Sequence, residues 1–281
     1  MTALSHHHQH SREAHHADEA GVAEILDLDA AVLGASLDEM ITWAARFAGI
    51  APRRVVDIGA GTGTGTLALA HRFDTAEVVA LDRSALMLQR LRTAALRRGL
   101  SDRVRTVQAD LNRGWPGIGR FDFGWAALSL HHLSDPDRVL GEIRAALDPG
   151  GVLAVLELDS LPRFLPEDIG IGRPGLEERC HQAIAQASWN AHPDWQPGLE
   201  RSGFTGVQQL GFSLDANPGA PEARRYAYAY FRRIRSDLAQ ALDAADLDTL
   251  DLLLTEDDSD GLLLRRDLTV RSSRTVWAAR R

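Results

Sequence analysis

The sequence predicts an α/β fold built on a doubly wound, mostly parallel sheet. Three observations carry that prediction. Five short strand-like runs alternate with helical or looped stretches between residues 53 and 158, the pattern of βα units stacked into one sheet. The first run, Val55, Val56 and Ile58, breaks into Gly59, Gly61, Gly63 and Gly65, then restarts as a helix at Leu67, Ala68, Leu69 and Ala70. That layout brings backbone close to a ligand and aims a helix N-terminus at it. Asp57 and Asp82 stand near the ends of the first two runs, at the sheet edge where open α/β folds bind ligands.

In chain order, residues 1–20 hold His6, His7, His8, His10, His15 and His16 and are expected to form a disordered polar tail. Ser36 and Glu39 make a capping box. Behind it Leu37, Met40, Ile41, Ala44, Phe47 and Ala48 recur at helical spacing, with Gly49 as the stop. Residues 53–58 predict the first strand. Residues 77–81 predict a second, ending at Asp82, and Ser84 caps a helix that turns Met87, Leu88, Leu91 and Ala95 inward before Gly99. Residues 104–107 predict a third strand, followed by Ala109, Asp110 and Leu111. Residues 121–130 predict the fourth strand and its exit, into His131 and His132. Asp135 and Pro136 then open a helix as N-cap and first residue. Pro149, Gly150 and Gly151 turn into a fifth strand over 152–157. Further on, helices are expected over 175–190, 195–203 and 222–242, and a strand near 207–214. Tyr226, Tyr230, Ile234 and Leu238 share one stripe of the last helix, which reads as core packing.

The glycine spacing separates two ligand classes. Dinucleotide sites use G-x-G-x-x-G/A. Counted from Gly59, the third position here is Thr64, so that fingerprint is incomplete. What stands instead is D-x-G-x-G-x-G, from Asp57 to Gly63, with Asp82 placed to accept hydrogen bonds from a ribose. Taken in order with A-D-L at 109–111, S-L-H-H-L at 129–133 and P-G-G-V-L at 149–153, this resembles class I S-adenosylmethionine (SAM)-dependent methyltransferases over about residues 53–158. The likeness is greatest to the small-molecule branch that includes quinone-biosynthesis and natural-product enzymes. The resemblance implies a Rossmann-like, seven-stranded sheet with an N-terminal helix and a final antiparallel pair, its last strand at 275–279. A helical cap would be inserted before that strand. The chain would then divide into a tail at 1–20 and one SAM-binding domain over 21–281, with cap or insert helices within 159–195 and 220–260. SAM is the implied cofactor and S-adenosylhomocysteine the product. The implied cofactor contacts are Asp57, Gly59, Ala60, Gly61, Gly63, Asp82, Arg83, Met87, Asp110, Leu111 and Ala127.

Composition narrows the chemistry. The 281 residues carry a net charge of −8, which speaks against nucleic acid as the main partner. Every basic residue other than histidine is arginine, so Schiff-base chemistry and a P-loop lysine are excluded. The single cysteine, Cys180, excludes an intrachain disulfide and a multi-cysteine zinc site. No apolar run approaches the length of a membrane span, and a cytoplasmic protein with a small-molecule acceptor is expected. No metal is expected; an acidic, calcium-like spacing at Glu256, Asp258, Asp260 and Asp267 reads as a solvated loop.

Methyl transfer from SAM is a direct displacement at an activated carbon, so alignment and a dry site matter most. Where the acceptor is a hydroxyl or a protonated amine, a base helps. His131 and His132 stand just after the fourth strand and are the candidates. Adjacent histidines on an extended segment would point apart, which argues against a shared metal. A non-catalytic SAM-fold protein, or one running another reaction such as a cyclisation, stays open at this point, as does a homodimer.

Overall fold

Val55, Val56, Asp57 and Ile58 are all buried because β1 (Arg54–Ile58) lies in the interior of a sheet covered on both faces. In a computed structural model that describes residues 3–187, 193–216 and 220–281, seven strands follow the order β3-β2-β1-β4-β5-β7-β6. They are β2 (Glu77–Asp82), β3 (Val104–Gln108), β4 (Phe121–Ala127), β5 (Leu147–Leu158), β6 (Thr205–Ala216) and β7 (Val270–Arg280) beside β1. The pairs β1–β2, β2–β3, β1–β4 and β4–β5 are parallel. Only β7 runs antiparallel, between β5 and β6. The chain leaves β1 toward β2 and β3 on one side and returns to β4 on the other, so the order reverses at the β1–β4 pair. A crevice at the C-terminal strand ends belongs at such a reversal.

The helices between the parallel strands form where caps and apolar spacing said they would. α2 (Thr64–Arg72) follows the glycine loop, and α3 (Ala85–Arg97) is capped by Ser84, whose side chain accepts from Met87 N. Asp135 caps α4 (Pro136–Ala146) by accepting from Arg138 N. Val139, Leu140 and Ile143 of α4 join Leu199 of α6 (Gln196–Arg201) and Val56, Ile58, Leu153, Val155 and Trp277 of the sheet in one apolar cluster. α5 (Leu176–Gln186) falls within the stretch expected to be helical, and residues 188–190 of that expectation lie outside the described residues.

Three expectations are corrected. α1 runs from Ala3 to Ala45, where a disordered tail and a helix starting at Ser36 were expected. Neither glycine nor proline occurs between residues 3 and 20 to stop it. α7 (Pro221–Asp237) ends five residues short of the expected 242, and α8 (Ala244–Leu253), capped by Asp243, was not foreseen. His131 lies in a 3-10 turn, Leu130–His132, rather than on extended chain.

The chain falls into two compact units. The larger holds residues 33–163, 184–216 and 270–281, hence the whole sheet. The smaller holds 1–32, 164–183 and 217–269, which takes in most of the segments expected as inserts. Within the smaller unit Phe164 packs edge-on to Tyr226 at 4.9 Å and lies 5.1 Å from the Tyr230 ring. The tyrosine stripe is therefore core packing, as read from the sequence. Asp246 is 2% exposed. It accepts a bidentate pair from Arg179 at 2.8 Å for each bond, and Arg173 lies 3.1 Å away. Asp267 of the acidic loop is engaged by Arg265.

The hydrogen bonds from Arg179 hold the Asp246 carboxyl below its ordinary range. A depressed carboxyl contributes stability above its unfolded value and loses it as pH falls. Asp246→Ala is expected to lower Tm at neutral pH, with the gap to wild type closing as pH drops through the carboxylate range. Thermal melts that show the same gap at every pH would contradict that assignment.

Candidate functional site

The exits of β1, β2 and β4 build the site. After Ile58 the chain curls through Gly59, Gly61 and Gly63 with φ of 76°, 53° and 98°, the left-handed region that glycine enters without strain. Gly59 N and Ala60 N both donate to Leu81 O, at 2.9 and 2.8 Å. Gly61 N donates to Asp82 Oδ2 at 2.8 Å, and Ser84 N donates to Asp82 Oδ1 at 2.8 Å. One carboxylate thus ties the glycine loop to the cap of α3. Gly63 is the N-cap of α2 and supplies no side-chain cap, so the first N–H groups of α2 keep the positive end of the helix. A Cβ on Gly63 would lie 2.5 Å from Leu91 Cγ, so α2 and α3 meet there too closely for any other residue.

The remaining expected cofactor residues differ in exposure. Asp82 and Asp110 are half-buried, and Asp110 accepts from Asn112 N at 3.1 Å in a local turn. Met87 and Leu111 are buried, Ala60 is buried within the loop, and Ala127 ends β4 half-buried. Arg83 is exposed, and its carbonyl accepts from Gln108 Nε2 at 3.0 Å. Asp57 departs from expectation. It does not stand open at the sheet edge but is 2% exposed, with Thr66 Oγ1 donating to its Oδ2 at 2.6 Å. Its side chain lies under the first turn of α2. A methyl on Gly65 would meet Asp57 Oδ2 and Trp125 Nε1 at 3.2 Å each.

On the other side of the reversal, Leu128 adopts φ 53°, the only described residue besides glycine with a positive φ. Such a conformation costs energy and persists where surroundings enforce it. Here Leu128 N donates to Leu156 O at 2.9 Å, and Ser129 Oγ donates to Ile58 O at 2.6 Å. A Cβ on Gly59 would lie 2.4 Å from Ser129 Cβ. The exits of β1 and β4 are therefore interlocked, and the turn carrying His131 is fixed beside the glycine loop. His131 Nδ1 lies 2.7 Å from Glu157 Oε2, and the His131 side chain is 7% exposed. The ring of His132 is exposed and sits 4.1 Å from that of His131. The two rings do not point apart, because the segment is a tight turn. Glu157 was not anticipated. Its signal was a lone acid closing an otherwise apolar strand, Val152 to Leu156.

In sum of charge the site offers carboxylates and an uncapped helix start, without an arginine clamp among the expected contacts other than exposed Arg83. The carboxylates suit a ligand bearing hydroxyls and positive charge, and the open helix start suits an anionic group on it.

Comparison with known proteins agrees. Residues 55–151 match the family described as a methyltransferase domain. The chain is 40% identical over 175 residues to a demethylmenaquinone methyltransferase of Thermus thermophilus, covering 62% of this chain and 70% of that one. It is 31% identical over 143 residues to a trans-aconitate 2-methyltransferase of Pseudomonas aeruginosa, covering 47% and 50%. The matched stretches span from 32% to 70% of the curated relatives' own lengths. The solved structure of YcgJ from Bacillus subtilis shares the fold, with a TM-score of 0.53 at 18% identity, over 86% of this chain and 98% of that one. The chain belongs to the class I SAM-dependent methyltransferases. No helix among the described residues is long and apolar enough to cross a membrane.

Burial pushes the Asp57 carboxyl up to about 7, the charge of Asp82 adds to the rise and the Thr66 hydroxyl opposes it. The folded chain then keeps a proton that the unfolded chain has released, so stability falls as pH rises from 3.8 to about 7. Asp57→Asn keeps an acceptor for Thr66 and removes that charge. It is expected to raise the Tm of the ligand-free protein above pH 7 and to matter little near pH 4. A variant less stable than wild type across the alkaline range would show that the ionised carboxylate stabilises the fold.

Proposed function

We propose that this chain transfers the methyl group of SAM to a small-molecule acceptor, with His131 as the base that takes the acceptor's proton. The observation that carries the reading is the placement of His131. Its turn is interlocked with the glycine loop through Ser129 and Ile58, and its ring is held by a side chain, Glu157, rather than by backbone alone. SAM supplies a methyl carbon on a cationic sulfur that leaves as a neutral thioether. The protein's residues bind, align and dry that centre. Asp82 accepts from the ribose hydroxyls with the lone pairs not used by Gly61 and Ser84. Asp110 accepts from the adenine amine, and Met87 and Leu111 wall the base. Gly59, Ala60, Gly61 and Gly63 let the backbone approach the methionine end, with Arg83 and Ala127 lining the rim. Asp57 acts from below, by holding Thr66 and the start of α2.

The relatives support a small acceptor: by their names, one acts on demethylmenaquinone and another on trans-aconitate. Acceptor selection is assigned to the smaller unit, with α7 and α8. His132 is exposed and is the secondary candidate for proton transfer.

His131→Ala is expected to lower kcat by roughly a hundred- to ten-thousand-fold, the usual contribution of a general base. Cofactor affinity should change little, because the adenosine rests on Asp82 and Asp110. The pH–rate profile should lose its acidic limb. S-adenosylhomocysteine release at the wild-type rate from this variant would remove His131 from the mechanism.

A further inference from the structure

Glu157 is a costly residue where it stands. It is 1% exposed, next to the end of β5 after five consecutive buried apolar residues, Val152 to Leu156. A carboxylate there is tolerated only if donors surround it. Three do. Leu158 N donates to Oε1 at 3.0 Å, His131 Nδ1 lies 2.7 Å from Oε2, and Trp195 Nε1 reaches Oε2 at 3.4 Å. Trp195 is itself buried in the apolar cluster under α4 and α6. The ionised form accepts from all three, and an ionised carboxylate only accepts. With Glu157 ionised, the proton of a neutral His131 resides on Nδ1, and Nε2 is then the ring's basic atom.

We infer that Glu157 is the positioning residue of His131, and that the Glu157–His131 pair selects an acceptor with a neutral hydroxyl, a phenol or enol, rather than a carboxylate. This rests on the methyltransferase reading of the same site and adds the acceptor's chemistry to it. A carboxylate has already lost its proton near neutral pH and needs no base. It would also approach an anion held just behind the imidazole. A phenolic hydroxyl titrates near pH 10 and is a poor nucleophile until its proton is taken. In the proposed step the acceptor's O–H bond breaks, an Nε2–H bond forms on His131, and the electron pair stays on oxygen for attack. The resulting imidazolium is stabilised by the Glu157 carboxylate 2.7 Å away, and the extra proton later passes from Nε2 to water. Chain geometry supports a fixed ring: the strained Leu128 and the Ser129 bond to Ile58 O set the turn, while Glu157 and Trp195 set the imidazole.

The test uses the full chain. Nitrogen-15 NMR of the ligand-free wild type reads the His131 tautomer, and the proton should be on Nδ1. Glu157→Gln keeps the shape and removes the charge. It should lower turnover roughly a hundred-fold and shift the acidic limb of the pH–rate profile, with KM for SAM unchanged. A variant with unaltered kcat and pH profile would make Glu157 merely structural and overturn the proposal. Catechol and 1,4-dihydroxynaphthalene serve as hydroxyl probes and benzoate as the carboxylate probe, with S-adenosylhomocysteine release as the readout. Turnover of a hydroxyl probe and not of benzoate supports the proposal; turnover of benzoate alone overturns it. The tautomer decides the pairing whether or not any probe is turned over, and a proton found on Nε2 sinks it. Retained S-adenosylhomocysteine binding beside the wrong tautomer defeats the pair and leaves the cofactor reading standing. Absence of that binding in wild type defeats both.

Discussion

The carboxylate of Asp82 is the constraint on which the rest of the site depends. Its two oxygens accept from Gly61 N and Ser84 N, at 2.8 Å each, and so join two loops that leave neighbouring parallel strands. Charge-assisted bonds of this kind are the strong ones. The glycine loop can take its left-handed curl because glycine bears no penalty there, and it keeps that curl because Asp82 and Leu81 O hold its N–H groups. α3 starts where it does because the same carboxylate fixes the residue that caps it. Two helix starts and two strand ends thereby meet at one edge.

A second lock faces the first. The Ser129 hydroxyl bonds the last carbonyl of β1, and the bare Cα of Gly59 is what lets it come so close. The two locks share the β1 exit. The strand order reverses there, between β2 on one side and β4 on the other. The turn carrying His131 and the glycine loop are thus held by the sheet itself and not by a long mobile loop, which is the preorganisation that a displacement reaction needs. The family resemblance accounts for the glycine loop. Glu157 and Trp195, which complete the second lock, come from this chain's own geometry.

Much of this was legible in the sequence because it is local. Ser84 and Asp135 cap the helices they were expected to cap, since a cap needs only its own next three residues. Four strands of the parallel half announced themselves as largely apolar runs between turn residues, and β3 as Val104 and Val107 flanking polar residues. What escaped depends on contacts distant along the chain. Asp57 was expected at the open edge, but α2 folds over it, and spacing alone does not tell which side of a strand a helix will cover. Glu157 looked like a strand-end acid; its partner His131 is 26 residues earlier. The histidine pair looked extended because nothing in the residue types of Leu128 and Ser129 signals a left-handed turn. α8 was hidden by a near-alternating D-L-D-T-L-D-L pattern that fits neither a clean helix nor a clean strand.

The central claim is that this edge, with its incomplete dinucleotide fingerprint and its carboxylates, is built for SAM. Parallel calorimetric titrations of the full chain with SAM, S-adenosylhomocysteine and NAD test it most directly. One molecule of SAM or S-adenosylhomocysteine should bind per chain, and NAD should give no binding heat. Saturable binding of NAD without binding of SAM would contradict the account.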